Sequence, residues 1–384
     1  MKTVFENLFP EGADKLTDRE KAFRIYSYIT GNIHYSSVSF RQGAFVPQKA
    51  SVTINTRLGD CKDLSSLFVS LARLSGLKAN LVLVNTRDNG LKSMELPSLE
   101  FNHCIVKTWI DGKAYFLELT DNNLPFASLP TSLMHATCLV IPRGEAAIAG
   151  DGAVAGNAKL EFVESPLRPR DRSIRRVNLH VEGSNLKMGV DVCRTGALVS
   201  AIRDDFRELS TEKRLEKMQN MVSGDFKNTV KVDSVSFRGL KETGDSAGYS
   251  YHATVDNEVV EVGEMHMIKI PFTDVVATVD DFSKDDRQFP VEYWRYENAD
   301  EYDTRITVEA PIGKHFIELP KSETYTFRNS TYSLQYIPSG TRKLTIIRKV
   351  TLQRDDVMPA EYKEMKEFFG KIVKAESKYL VYRQ

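Results

Sequence analysis

The order of two hydrophobic periodicities is the feature that most constrains the fold of this chain. Apolar residues first recur at helical spacing, as in 18–32, and three strand-like runs follow at 79–85, 101–110 and 113–120. Helices followed by a run of strands are typical of α+β domains, in which helices pack on an antiparallel sheet. We therefore predict an α+β core with helices packed on an antiparallel sheet over residues 1–142.

The rest of the chain has a different pattern. Residues 143–172 are rich in Gly, Ala, Pro and Arg and show no sustained period, which predicts a linker or crossing segment. Residues 173–384 alternate between apolar and polar positions in several runs, around one long helical stretch and a C-terminal helix. This pattern predicts a β-rich second domain with a sandwich architecture. Two domains also suit a length of 384 residues.

Charge and hydropathy exclude two classes of function. The 52 Lys and Arg equal the 52 Asp and Glu, so the chain lacks the electrostatic footprint of a nucleic-acid-binding protein. No stretch approaches the ~18 to 20 apolar residues of a membrane span, and the first residues lack the apolar core of an export signal. We expect no nucleic-acid partner and no membrane span in this chain. The start is also consistent with Met1 lying inside a longer natural protein.

The four cysteines, Cys61, Cys104, Cys138 and Cys193, lie far apart and form no CxxC pair. This spacing predicts neither a disulfide framework nor a zinc site. We expect no metal and no cofactor, so each thiol has to be considered by itself.

Cys61 has the sequence context of a nucleophile. It follows Gly59-Asp60 at a predicted helix start, where unpaired N–H groups and the helix dipole favour a thiolate. The alternative is a buried, inert cysteine. A nucleophilic thiol needs a base and a group that orients the base. His103, 42 residues downstream, is the candidate base, and Asp121, 18 residues further on, is the candidate orienting carboxylate.

The register of a predicted hairpin decides whether His103 and Asp121 can meet. A three-residue loop around residues 111–112 would pair odd positions with odd, so that the more apolar faces of both strands coincide. His103 would then lie opposite or diagonal to Asp121. A two-residue loop would instead place Ile105 opposite Glu118 and separate the two apolar faces. We predict the three-residue loop because it buries both faces together.

These residues resemble a known family. The run GDCKD at 59–63, then Asn102-His103, then Asp121, is similar to the bacterial transglutaminase-like superfamily within the papain-like thiol group. The segment from 35 to 68 is similar to a Bacteroidetes-type branch, whose core is often followed by a β-rich domain of unknown function. The resemblance implies a papain-like fold for the first domain.

The resemblance also implies roles for individual residues. Cys61 would be the nucleophile, His103 the base and acid, and Asp121 the orienting carboxylate. An upstream side chain would help to hold the oxyanion beside the backbone N–H of Cys61, and here Gln42 is favoured over Gln48. The short spacing from Cys61 to His103 excludes a simple papain-type protease.

The implied function is thiol-dependent acyl transfer on peptide or glutamine-type amides of a peptide or protein substrate. Water as the acceptor would make the protein a protease or amidase, and an amine would make it a transglutaminase-like enzyme. The alternative is a catalytically silent transglutaminase-like scaffold or binding module. The family resemblance suggests a periplasmic or cell-envelope location, whereas the sequence leaves the oligomeric state open.

Overall fold

The computed structural model describes residues 1–37, 46–89, 100–141, 159–241, 244–292 and 299–383. The chain divides into two compact units, Met1–Pro169 and Arg170–Gln384. In the described residues, no helix is both long enough and apolar enough to cross a membrane.

The first unit begins with helices and continues with strands, as the hydrophobic pattern predicts. Its helices are α1 (Lys2–Leu8), α2 (Asp18–Asn32), α3 (Ala50–Thr56) and α4 (Cys61–Leu74). Its strands are β1 (His34–Tyr35), β2 (Leu58–Gly59), β3 (Ala79–Asn85), β4 (His103–Ile110), β5 (Lys113–Leu117), β6 (Thr137–Val140) and β7 (Lys159–Phe162).

A capping box fixes the start of α2. The Thr17 hydroxyl accepts the backbone N–H of Glu20 at 3.3 Å, and the Glu20 carboxylate accepts the N–H of Thr17 at 2.8 Å. This exchange satisfies N–H groups that a helix start leaves unpaired. Buried Ile25 and Ile29 of α2 then pack in the same apolar cluster as Leu67 of α4.

The main sheet of the first unit is antiparallel, with the strand order β5-β4-β3-β6-β7. Apolar residues pack against both of its faces. Val106 and Leu117 join the cluster that contains the helices, whereas Ile105 and Phe116 belong to a second cluster. The α+β prediction with helices on an antiparallel sheet is confirmed. Strand β7 lies within the segment 143–172 that the sequence predicts to be a linker.

The predicted register of the β4–β5 hairpin was wrong. Ile110 pairs with Lys113, so the loop contains only Asp111 and Gly112. Both loop residues have positive φ, 49° and 75°. A two-residue hairpin turn requires this geometry, and Asp-Gly is common in such turns because both residues adopt it readily. The apolar-face argument failed because both faces of this sheet are buried.

The second unit is rich in strands and contains three helices in its described residues. The helices are α5 (Leu198–Phe206), α6 (Thr211–Gly224) and α7 (Tyr362–Glu376). The strands are β8 (Arg172–Glu182), β9 (Asn185–Thr195), β10 (Val230–Arg238), β11 (Ser246–Val255), β12 (Val260–Val262), β13 (Met265–Lys269), β14 (Glu301–Glu309), β15 (His315–Glu318), β16 (Glu323–Phe327), β17 (Ser330–Ser339), β18 (Lys343–Thr351) and β19 (Tyr379–Arg383).

These strands form two sheets that share one apolar core with the helices. The larger sheet has the order β10-β11-β9-β8-β14-β18-β17-β16, and the smaller has the order β12-β13-β19-β15. The predicted long helix is two helices, because the Ser210 side chain caps a new start at α6. The β-rich character is confirmed, whereas the sandwich geometry stays a prediction.

Candidate active site

Two aspartates hold the helix start that carries Cys61. The Asp60 carboxylate accepts the N–H groups of Lys62 at 2.9 Å and Asp63 at 3.1 Å, and the Asp63 carboxylate accepts the N–H of Asp60 at 3.1 Å. This capping box fixes Cys61 as the first residue of α4. The thiol is therefore placed at the positive end of the helix dipole.

The chain approaches this helix start very closely at Gly59. A Cβ on Gly59 would lie 2.8 Å from the Cβ of Asp63 and 2.9 Å from Cδ1 of Leu64. Only glycine fits without a shift of α4. The close approach gives a physical reason for the Gly-Asp-Cys order, since a larger residue at this position would displace the turn that carries Cys61.

His103 connects the helix start to the end of the hairpin. Its Nε2 lies 2.6 Å from Oε2 of Glu118, and Cys61 lies close enough to the imidazole to help raise its pKa. Cys61 is 4% exposed and Glu118 is 3% exposed, so the three side chains form a chain of contacts largely shielded from water.

The two charges of the His103–Glu118 pair stabilise each other. Burial alone would lower the pKa of His103, but the Glu118 carboxylate, the neighbouring Cys61 and the hydrogen bond to Glu118 raise it to about 10. Burial would raise the pKa of Glu118, but His103 and the hydrogen bonds from Thr120 hold it below its ordinary value. The backbone N–H and the hydroxyl of Thr120 both donate to Oε1 at 2.6 Å. At neutral pH the site therefore holds an imidazolium and a carboxylate.

The residue that meets His103 differs from the one that the sequence predicts. Asp121 accepts the backbone N–H of Asn123 at 2.8 Å in the turn after the hairpin, whereas the carboxylate on Nε2 of His103 is that of Glu118. The two-residue loop explains this difference. It pairs odd positions of β4 with even positions of β5, which puts Glu118 on the His103 face.

The structure describes only one of the two glutamines that were candidates to hold the oxyanion. Gln42 lies outside the described residues. The Gln48 side-chain amide donates to the carbonyl of Leu58 at 3.1 Å and to the Asp63 carboxylate at 3.0 Å. Gln48 therefore supports the capping box of α4, and both of its N–H donors are engaged there.

Tyr35 is a residue of this site that the sequence interpretation missed. It pairs with Gly59 in the short parallel ladder of β1 and β2, two residues before Cys61. Partial burial, followed by the negative charges of Cys61 and Glu118, raises the pKa of Tyr35. The phenol therefore stays protonated at neutral pH. The pairing of two-residue strands leaves no periodicity from which its position could have been read.

Cys104 and Cys138 differ sharply from Cys61 in their surroundings. Burial is the first cause that raises the pKa of each of these two thiols to about 12. Neither has an imidazole among its hydrogen-bond partners in the described residues. Among all the residues that the structure describes, no group of three or more His, Cys, Asp or Glu side chains could hold a metal ion.

Comparison with known families agrees with this architecture. The family model of the transglutaminase-like superfamily matches residues 9–117. The chain carries an N-terminal transglutaminase-like domain. Residues 266–382 match DUF3858, a domain of unknown function with a solved structure. The predicted resemblance, including the C-terminal domain of unknown function, is confirmed.

Comparison with solved structures supports the fold. A crystal structure described as a "putative protease" from Parabacteroides distasonis ATCC 8503 is similar to this chain, with a TM-score of 0.52 and 12% sequence identity. The similarity covers 100% of this chain and 55% of that chain, so the present chain spans about half of the length of its neighbour. At this identity the comparison supports the papain-like fold alone. No curated protein matches the chain.

Proposed function

We propose that the transglutaminase-like domain catalyses thiol-dependent acyl transfer on peptide or glutamine-type amides. Cys61 is the nucleophile, His103 is the acid and base, and Glu118 orients His103. The observation that carries the proposal is the buried chain of contacts from the Cys61 thiol through the His103 imidazole to the Glu118 carboxylate. A thiol, a base and a group that orients the base are the three parts that nucleophilic thiol catalysis requires.

The charge state of the site supports this assignment. With a pKa of about 10, His103 is an imidazolium at neutral pH, and a cation beside the sulfur stabilises a thiolate. The dipole of α4 acts in the same direction on Cys61, which is its first residue. The imidazolium already holds the proton that the leaving group needs.

The proposed reaction has two steps. The Cys61 thiolate attacks the amide carbonyl carbon, the C–N bond breaks, and His103 gives its proton to the departing amine, leaving a thioester. Water or an amine then attacks the thioester while His103 accepts its proton, and a carboxylic acid or a new amide leaves as Cys61 returns to the thiolate and His103 to the imidazolium. The backbone N–H of Cys61 and the Tyr35 hydroxyl are the proposed donors to the oxyanion.

Two measurements on the full chain test the proposal. Iodoacetamide at neutral pH should alkylate Cys61 much faster than Cys104, Cys138 or Cys193, as followed by peptide mass spectrometry. Casein with a fluorescent primary amine should then give new N-termini, released ammonia or amine incorporation. Each product should disappear in Cys61→Ser. New N-termini, or ammonia without amine incorporation, would identify water as the acceptor, and amine incorporation would identify an amine.

The alternative is the catalytically silent scaffold. It predicts that Cys61 is alkylated as slowly as the other three cysteines and that none of the casein products depends on Cys61. That pair of results would contradict the proposed function.

A further inference from the structure

Asn102, the residue directly before His103, binds the chain at the end of strand β3 with both polar atoms of its side-chain amide. The backbone N–H of Thr86 donates to its Oδ1 at 2.9 Å, and its Nδ2 donates to the Thr86 hydroxyl at 2.7 Å. Thr86 directly follows β3, which ends at Asn85. We call this pair of bonds the Asn102–Thr86 clamp. An amide side chain suits it because its acceptor and its donor lie side by side.

The clamp lies where the backbone ladder of β3 and β4 ends. His103 is the first residue of β4, and its pairing with Val84 is the last pair of the register. The N–H of Asn102 adds one more backbone bond, to the carbonyl of Val84 at 3.0 Å. The ends of secondary-structure elements open more readily than their interiors, because fewer contacts hold them. The clamp therefore holds the two strands together at the end of β4 that carries His103.

The placement of the His103 imidazole depends on this strand end because its partners belong to other elements. Glu118 follows β5, and Cys61 begins α4. Each of these two residues has its own support, since Thr120 donates two hydrogen bonds to the Glu118 carboxylate and the capping box of α4 fixes Cys61. The clamp is the corresponding support for His103.

The effect of the clamp on geometry can be separated from its effect on stability. Asn102 is exposed, and a hydrogen bond of an exposed side chain contributes only modestly to folding stability. In contrast, misplacement of a catalytic group by about 1 Å can lower a reaction rate about a hundredfold. Loss of the clamp should therefore change the chemistry of the site more than it changes the stability of the fold.

We propose that Asn102 is a positioning residue for acyl transfer: its clamp with Thr86 fixes the backbone of His103, so that the imidazole stays in contact with Glu118 and beside Cys61. The inference rests on the proposed function, because it concerns the placement of the acid and base of that reaction. Asn102 acts through His103 and not on the substrate.

The pH–rate profile of Cys61 alkylation by iodoacetamide tests this role on the full chain. In the unmodified chain, the neighbouring imidazolium should make Cys61 react at a pH below the ordinary thiol pKa of ~8.5. Asn102→Ala removes both bonds of the clamp. It should shift the midpoint of the profile towards ~8.5 and lower the rate at neutral pH by at least about twofold. Turnover of casein should fall by at least about tenfold, because a misplaced acid and base transfers protons more slowly.

Asn89→Ala is the matched control in the loop that follows β3. The Asn89 amide donates to Oδ1 of Asn85 at 2.9 Å and to the carbonyl of Glu100 at 3.3 Å. This variant therefore removes an exposed amide from the same loop and leaves both bonds of the clamp in place. We expect it to have the profile of the unmodified chain. A general loosening of the loop would instead shift both variants equally.

A second pair of variants isolates the bond to the Thr86 hydroxyl. Thr86→Val removes the hydroxyl, whereas Thr86→Ser retains it and removes a methyl group from the same buried position. Thr86→Val should shift the Cys61 profile in the same direction as Asn102→Ala, and Thr86→Ser should retain the profile of the unmodified chain. Thermal unfolding of both variants completes the comparison, because a purely structural role predicts that the alkylation rate follows Tm and not the hydroxyl.

The contrary results separate this inference from the proposed function. An unchanged profile in folded Asn102→Ala, or equal shifts in Asn102→Ala and Asn89→Ala, would overturn the positioning role and leave the proposed function standing. Alkylation of Cys61 in the unmodified chain as slow as that of Cys104 would overturn both. If Asn102→Ala does not fold, the Thr86 pair decides, since equal profiles in Thr86→Val and Thr86→Ser would contradict the clamp.

Discussion

Replacing Glu118 with glutamine should lower the pKa of His103 and so slow the reaction of Cys61. The Nε2 of His103 and Oε2 of Glu118 are 2.6 Å apart, and Glu118 is 3% exposed. Two unit charges with centres about 4 Å apart attract each other by about 4 kcal/mol at an effective dielectric constant of about 20. Loss of that attraction changes the protonation equilibrium of His103 by about a thousandfold. The imidazolium would no longer dominate at neutral pH.

The alkylation rate of Cys61 measures this change without a known substrate. An ordinary cysteine is only a few per cent thiolate at neutral pH. A thousandfold change moves the pKa of His103 from about 10 to about 7 and leaves about half of the imidazolium at neutral pH, so Glu118→Gln should slow iodoacetamide alkylation of Cys61 at that pH by at least about twofold. The matched control is Asp121→Asn. It removes the carboxylate three residues after Glu118, which accepts the backbone N–H of Asn123. We expect that variant to react at the unmodified rate.

The pH dependence of stability provides a second readout of the same pair. The folded-state pKa of His103, about 10, lies above its ordinary 6.5, so its contribution is complete below about pH 6.5 and is lost as pH rises through about 10. The pKa of Glu118 is lowered from 4.5, so its contribution is present above about pH 4.5 and is lost as pH falls further. The difference in Tm between the unmodified chain and Glu118→Gln should therefore be largest between about pH 4.5 and pH 6.5, where both contributions are complete.

One pair of alkylation rates would refute the assignment of Glu118. A normal Cys61 rate in Glu118→Gln together with a slow rate in Asp121→Asn would restore Asp121 as the orienting residue.

Three further substitutions test other parts of the structure. Gly59→Ala would place a Cβ 2.8 Å from the nearest side-chain atom of α4, so thermal unfolding should show a loss of about 1–3 kcal/mol and Cys61 alkylation should slow; unchanged values would contradict the close approach. Tyr35→Phe should lower turnover of an amide substrate by at least about tenfold while leaving the alkylation rate of Cys61 unchanged, and equal turnover would remove Tyr35 from the oxyanion site. Arg348→Met would leave the buried Asp274 without its cation at 2.6 Å, and urea unfolding should show a loss of about 3–5 kcal/mol, whereas a stability change below about 1 kcal/mol would show that the pair is not needed.

Much of the first unit could be predicted from the sequence because local signals and packing agree there. The Thr17 capping box begins α2 at the predicted residue, and the run 79–85 is strand β3 with the same bounds. The long helix predicted in the second unit failed for a local reason. Ser210 caps a new helix, and a helical period continues across such a break without a visible change in hydropathy.

The sequence indicated the candidate site where a residue type determined the chemistry, but not where strand register determined which side chains face each other. It singled out Cys61 and His103 because a thiol at a helix start and a histidine on a strand are distinctive, and their catalytic roles stay a prediction. Glu118 was missed because the hairpin was judged by its apolar faces, although Asp-Gly is a strong signal for a two-residue turn. Had the turn decided the register, Glu118 would have been placed on the His103 face from the sequence alone.

Selective reaction at Cys61 would show that the neighbours of a thiol, and not its exposure, control its reactivity in this domain. Cys61 and Cys104 are both buried, at 4% and 2% exposure, so access alone predicts similarly slow alkylation. Their surroundings differ, since burial raises the pKa of Cys104 to about 12 while Cys61 lies beside the His103 imidazolium at the start of α4. A large rate difference between these two thiols therefore has an electrostatic origin. It should shrink in Glu118→Gln, because that substitution removes the charge that keeps His103 protonated and leaves the burial of both cysteines unchanged.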